Sequence, residues 1–390
     1  MDGEVVPVRP LTFCDVAMLY CQTGGGIRTY YDAKLDWFAR QSTHRYVLIV
    51  PSPRSSTNVL SESASVVRVR GIRMTSAPDG YRLFANWHQV RAAIKRCRPD
   101  VLESGDPWVS GPLSLGLGRQ RPRVVSSFFH ADPIATYLEP ALRRFTRCGA
   151  ARIAARVASR AFYRLQASYD VTMVGAAILG DRLRGAGISQ VRCAPFGVDP
   201  RLFAVARQRP SVEYPTRLLY MGRLDSDKQI ELLIEVLPRL LDMPNVSVTV
   251  VGQGAYRETF EAWTHPRLRY VGYVRDRAAV AALYRDHDIL LAPGAYETFG
   301  LAALEALAAG LLVVGPDQGG TGALLKEMSS PFVFEASRAD AFLAAVSGAL
   351  AADWPRASRA GQAIAARYGT WADAIAGLVA TYERLVEVGW

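Results

Sequence analysis

Apolar positions along the chain come in short runs. Between the runs lie longer stretches in which apolar residues recur every three or four positions. The runs read as buried strands and the stretches as amphipathic helices. In the first half, strands are predicted at residues 11–20, 46–51, 66–69, 101–103, 124–128, 171–174 and 190–194, and helices at about 27–40, 84–97, 107–117 and 177–184. The alternation resumes in the second half. Strands are predicted there at 218–221, 246–251, 269–271, 289–292 and 311–314, with helices ending near 241 and 285 and another at 299–309. Three more helices are predicted at 339–351, 356–367 and 371–388. Strands alternating with helices predict parallel sheets, and so an α/β chain of two Rossmann-like domains. Residues 196–214 contain Arg207-Gln208-Arg209-Pro210 and show no periodicity. They predict a linker between a first domain at 1–195 and a second at 215–370, with 371–390 as a terminal helix.

The tightest strand–helix–strand unit, residues 288–314, carries two acids. Glu297 precedes the predicted helix, and Glu305 lies inside it among Leu, Ala and Gly. An ionised carboxylate in such a helix needs a polar partner. Thr298 is a candidate cap, and the amides of Phe299, Gly300 and Leu301 would then face an anion at the positive end of the helix. Gly24-Gly25-Gly26 lies between a strand and a helix, with Arg28 just beyond. Gly25 and Gly26 would let backbone amides approach a phosphate closely. His130 follows a strand directly, at the carboxyl end where open α/β sheets bind ligands, and Asp132 could orient it or cap a helix. Arg223 and Lys228 leave one strand end and enter a helix start, a placement that suits a diphosphate. Asp225-Ser226-Asp227 between them spells a DxD tripeptide and is read as a loop and helix cap. Asp276 could serve as the N-cap of the helix that follows it.

Glu297 and Glu305, with Phe299-Gly300-Leu301 between them, resemble the paired glutamates of the retaining, metal-independent glycosyltransferases of the GT-B fold, family 4. Pro195-Phe196-Gly197-Val198-Asp199, Gly222-Arg223-Leu224 with Lys228, and Gly252-Gln253-Gly254 extend the likeness. It covers nearly the whole chain and is strongest over residues 214–314. The resemblance implies two domains facing each other across a cleft, with the last helix crossing back to the first domain. It places Glu297 by the donor sugar and Glu305 on the ribose hydroxyls of the nucleotide. Gly25 and Gly26 would close over the diphosphate, Arg223 and Lys228 would hold it, and His130 would face the sugar and the acceptor, while the loop of Asp276 would pass the nucleotide base, where that carboxylate could accept from N1 and N2 of a guanine. No metal cofactor is expected. The segments GGGIRT, LESGDP and APGAYETFGLAALEALA are similar to bacterial mannosyltransferases that act on phosphatidylinositol and related glycolipids. The expected donor is therefore GDP-mannose ahead of a UDP-sugar, and the expected acceptor a lipid or glycan. Thr321 and Leu312 depart from the family pattern, which carries an acid and a Pro near these places. A UDP-hexose transferase of glycan assembly is the nearest alternative. A phosphorylase or epimerase on the same fold, and a non-catalytic nucleotide-sugar-binding protein, are alternatives of other classes.

Charge adds a further expectation. Residues 1–200 carry 27 Lys and Arg against 15 Asp and Glu, whereas residues 201–390 carry 19 against 21. Such asymmetry implies an anionic partner for the first half alone. Arg143, Arg144, Arg147, Arg152, Arg156, Arg160 and Arg164 share one segment, and the last four repeat every fourth residue, one stripe of a helix with Ile153, Ala154, Val157 and Ala161 opposite. The stripe reads as a solvated face or as a patch for an anionic acceptor or lipid headgroups, which would bring a cytoplasmic protein to the inner membrane surface. Nucleic acid fits less well, because no aromatic-rich binding motif is present. The five cysteines are scattered and form no CxxC pair, so reduced thiols and no zinc are expected.

Overall fold

The computed structural model describes residues 9–21, 24–74, 81–106, 116–138, 149–203 and 215–388. The predicted helix over 107–117 falls almost wholly outside them, as do Arg143, Arg144, Arg147, Cys148 and the 204–214 part of the linker. The described residues form two sheets. The first contains β1 (Thr12–Val16), β2 (Arg45–Ser52), β3 (Ser56–Val59), β4 (Ala64–Arg73), β5 (Arg82–Phe84), β6 (Val101–Ser104), β7 (Val124–Phe128), β8 (Val171–Val174) and β9 (Val191–Cys193). Its order is β3-β4-β2-β1-β6-β7-β8-β9, with β5 on β4. The second contains β10 (Thr216–Met221), β11 (Val246–Val251), β12 (Leu268–Gly272), β13 (Ile289–Leu291), β14 (Leu312–Pro316) and β15 (Val333–Phe334), in the order β12-β11-β10-β13-β14-β15.

Pairing is parallel throughout except where β3 and β5 join β4. Those two strands were not predicted. Both are short, and Ser56–Val59 is fully exposed, so neither carries an apolar run. The central strands β1, β6, β7 and β8 are almost entirely buried, as parallel strands covered by helices on both faces must be.

A charged cluster sits inside the first sheet. Lys34, from the helix Gly26–Gln41, donates to Asp15 at 2.6 Å and to Glu103 at 3.1 Å. Tyr46 donates to Asp15 at 2.7 Å and Tyr30 to Glu103 at 2.8 Å. The other Glu103 oxygen accepts from Tyr382 at 2.7 Å, and Tyr382 belongs to the last helix, Trp371–Val388. His44 and Glu383 make a second tie at 3.0 Å. The chain's last helix thus returns to the first sheet, and the tie is a buried polar network rather than apolar packing alone. Burial, with Glu103 close by, pushes the Asp15 carboxyl up to about 7.

The helix Gly149–Gln166 corrects the reading of its faces. Its buried side is Ala155, Phe162 and Gln166. Ile153 and Val157, placed opposite the arginines on the sequence, are 64% and 60% exposed, and Ala154 and Ala161 are exposed too. They share the solvent side with Arg156, Arg160 and Arg164. The side chain of Arg152 lies outside the described residues. Among the described residues no helix is long and apolar enough to cross a membrane, and Cys14, Cys21, Cys97 and Cys193 are in no disulfide bond.

Candidate active site

Carboxyl ends of strands from both sheets open onto one cleft of about 780 Å³. From the first sheet come Gly24–Gly26, Arg28 and His130; from the second come Arg223, Lys228, Glu297, Glu305 and the Phe299–Leu301 segment. The structure therefore brings together Gly25, Gly26, His130, Arg223, Lys228, Glu297, Phe299, Gly300, Leu301 and Glu305. Asp276 does not line the cleft. It caps the helix Arg277–Arg285, accepting from the amides of Ala278 and Ala279 at 3.4 and 3.0 Å. Its neighbours Arg275 and Arg277 do line the cleft. Arg156, Arg160 and Arg164 lie away from it, on the exposed helix described above.

Arg28, Arg223, Lys228 and Arg277 in the cleft are each matched to a carboxylate. Lys228 Nζ lies 2.6 Å from Glu297 Oε1. Arg223 is gripped by Asp225 at 2.8 Å and by Asp227. The Asp225-Ser226-Asp227 tripeptide thus holds Arg223 rather than capping the turn Ser226–Lys228, which has no side-chain cap. The other Asp225 oxygen accepts from the Ala255 amide at 2.8 Å, which fixes the clamp to the neighbouring loop. Gln229 accepts from the Ala295 amide at 2.8 Å and so ties the Lys228 turn to the loop that carries Glu297. Gly24 is confined by Cys21 and Arg28, but a Cβ on Gly25 would meet nothing within 4 Å, so open space of the cleft lies beside that backbone.

The expected Thr298 cap is absent. The helix begins at Leu301, and its N-cap is Gly300 in the left-handed region, φ 84°. Only glycine fits there, because a Cβ would stand 2.8 Å from Thr321 Oγ1 and 2.9 Å from its amide. The Thr298 hydroxyl donates instead to the carbonyl of His130 at 2.8 Å, a direct bond between the two halves. His130 stacks on Phe128 with centroids 4.4 Å apart, and among the described residues its buried Nε2 has no hydrogen-bond partner. Burial and the nearby Lys34 hold its imidazole down to about 3, so it is neutral at pH 7. Asp132 does not orient it. That carboxylate accepts from the Ala135 amide at 3.0 Å and pairs with Arg182 at 3.2 Å.

Glu305 is buried, and both its oxygens are engaged. Arg277 donates to Oε1 at 2.6 Å and the Tyr284 hydroxyl to Oε2 at 3.2 Å. Sequence reasoning asked for a polar partner but did not name these two. The available signal was their spacing: seven residues apart, two helical turns, they share one face of the helix that follows Asp276.

Two family models match the chain, "Glycosyltransferase Family 4" over residues 24–202 and "Glycosyl transferases group 1" over residues 205–367. The GDP-mannose-dependent alpha-(1-6)-phosphatidylinositol dimannoside mannosyltransferase of Mycobacterium tuberculosis is 31% identical over 304 residues, 76% of each chain. The chain belongs to glycosyltransferase family 4. This family 4 enzyme is a hexosyltransferase, and its two-domain GT-B fold is shared with solved structures. Sucrose-phosphate synthase from Thermosynechococcus elongatus superposes with a TM-score of 0.78 at 18% identity, covering 98% of this chain and 100% of that one. Anabaena HepE, solved in complex with UDP-glucose, superposes with a TM-score of 0.69 at 14% identity, covering 96% and 100%.

Proposed function

We propose that the transferase moves a mannosyl group from GDP-mannose to an amphiphilic acceptor at an anionic membrane surface, with retention at the anomeric carbon. The observation that carries the reading is the Lys228–Glu297 pair, set beside the clamped Arg223 at the strand ends of the cleft. A nucleoside diphosphate arriving there competes for Lys228. The ammonium turns to the phosphates, and the Glu297 carboxylate is released to accept hydrogen bonds from sugar hydroxyls. Arg223, Lys228 and the amides of the Phe299–Leu301 turn then stabilise the charge that develops on the departing diphosphate. Asp225 and Asp227 hold the Arg223 guanidinium in place, so little reorganisation accompanies the reaction. Glu305 takes the ribose hydroxyls. His130, neutral and with Nε2 unpartnered among the described residues, offers a hydrogen bond to a hydroxyl on the first-domain side without carrying charge into the site. Gly25 and Gly26 give the diphosphate a close approach to backbone. The mycobacterial relative's GDP-mannose and phosphatidylinositol dimannoside support the choice of donor and acceptor class.

Two surfaces of the first domain support an amphiphilic acceptor. On the helix Gly149–Gln166, exposed Ile153 and Val157 stand beside Arg156, Arg160 and Arg164. On the β4–β5 ladder, Ile72 pairs with Leu83 and both are exposed. The next pair along, Met74 and Tyr81, lies on the same face and lines the cleft. Exposed Arg70 is on that face two residues before Ile72. An acyl chain could follow this strip with its headgroup near arginine.

Thermal stabilisation by GDP, UDP, GDP-mannose and UDP-glucose tests the donor. A ligand present at 100 times its Kd adds about 2.7 kcal/mol to native stability by mass action. Greater stabilisation by GDP and GDP-mannose is expected; a UDP preference overturns the donor assignment. The anomeric configuration of the product, read by proton NMR, tests retention.

A further inference from the structure

Arg277 does more than neutralise Glu305. Its side chain keeps 41% of its surface open and lines the cleft, while one nitrogen holds Glu305 Oε1. The guanidinium carbon lies 5.2 Å from the ring centroid of Phe203. Phe203 is fully buried and meets the Tyr284 ring edge-on at 5.7 Å. It belongs to Pro200–Phe203, the short helix on the segment that leaves the first domain. Arg285 adds a bond to the carbonyl of Leu202 at 3.3 Å. Both donors to Glu305 therefore come from one helix, and that helix rests on the interdomain segment through Phe203.

We propose that Arg277 is a donor-positioning residue, which fixes the Glu305 carboxylate for the nucleotide ribose and is itself seated by Phe203. The proposal rests on the reading of Glu305 as the ribose-binding group. The physical reason is orientation. A carboxylate in an apolar helix, held at each oxygen by a different donor, cannot rotate, and its remaining lone pairs face one way. With Arg277 removed, Glu305 keeps only the Tyr284 bond on Oε2, and its Oε1 is free to turn from the cleft or to draw in water. Phe203 restricts the guanidinium by lying under it, a cation–π contact that keeps the fork aimed at Glu305.

The test is a double-mutant cycle on nucleotide affinity, with GDP and UDP each titrated calorimetrically and kcat and donor KM measured alongside. Arg277→Met is expected to weaken the preferred nucleotide about tenfold or more, the loss of one charge-assisted hydrogen bond. Donor KM should rise by that factor, with kcat changed by about twofold at most. Arg277→Lys should recover part of the affinity, and Phe203→Leu should shift it in the same direction by less. If Arg277 acts through Glu305, the double variant Glu305→Gln with Arg277→Met binds no worse than Glu305→Gln alone. Additive losses would overturn the proposal and make Arg277 a direct nucleotide contact. Unchanged affinity in Arg277→Lys and Phe203→Leu, the variants least disturbing to the fold, would overturn it too. The underlying reading fails separately: in that case Glu305→Gln itself leaves nucleotide affinity unchanged.

Discussion

His130 is the residue where the pH argument is sharpest. Its imidazole is held down to about 3, below its ordinary 6.5. A depressed histidine keeps its full contribution to stability above pH 6.5 and loses it as pH falls toward 3, because the unfolded chain takes up a proton that the folded chain refuses. At pH 5.5 the loss is about 1.4 kcal/mol. Melting curves of the wild type and of His130→Gln should therefore converge between pH 7 and 5.5, with the wild type losing more; parallel curves would show that His130 is accessible to protons. Turnover should show no ionisation of His130 between pH 6 and 8. For the charged residues, Lys228→Ala and Arg223→Ala should each lower kcat by a factor of about 100 to 1000, the cost of removing a preorganised charge from a developing anion. The folded state should be retained, as circular dichroism can show. That Glu297, Glu305, Arg223 and Lys228 line one cleft was legible because residue type and spacing single them out without reference to a partner. The roles of Asp225 and Asp227 and of Thr298 were not. The first two depend on which way Arg223 turns, and the third on a helix that begins two residues later than its sequence pattern, at a left-handed Gly300.

At the scale of single elements, the helix Gly149–Gln166 shows where periodicity alone stops. A helical wheel separates arginines from apolar residues, but it does not say which side the sheet takes. The sheet takes Phe162 and Gln166, the latter because its amide meets Ser127 and Thr172 in a buried polar contact. Ile153 and Val157 are left in solvent. Replacing both by Ser should change the melting temperature little, since isolated surface positions are worth within about 0.5 kcal/mol. The same variant should bind less to vesicles containing phosphatidylinositol than the wild type does, measured by co-sedimentation. Unchanged binding would remove this helix from the membrane-contacting surface. Strands β3 and β5 were invisible for a simpler reason: they add to an edge already formed and bury little of their own.

The whole molecule is held as one body by contacts that the sequence does not advertise. Phe196, from the turn after β9, packs on Phe299 of the second half at 4.8 Å and on Trp371 of the last helix at 5.4 Å. The two-sheet plan and its parallel order followed from alternation of apolar runs with helices. These long-range contacts did not, because their partners lie more than 70 residues apart in the chain. Tyr382→Phe tests the return of the last helix. It leaves Glu103 Oε2 and Ser126 short of a buried partner. A loss of about 1 to 3 kcal/mol in unfolding free energy is expected by chemical denaturation. A change under a few tenths would mean that water replaces the hydroxyl.

That same tyrosine bears on how such enzymes can be recombined. A chimera that joins this first half to the second half of another transferase, cut at the linker, would inherit a foreign last helix, and with it that helix's own side chains at the places of Tyr382 and Glu383. The buried Lys34–Asp15–Glu103 cluster would then lose its Tyr382 contact and His44 its Glu383 partner wherever that helix lacks them, although every residue of the exchanged half was correct. The modular unit is discontinuous: the first half travels with residues 371–388, and the second module is only what lies between.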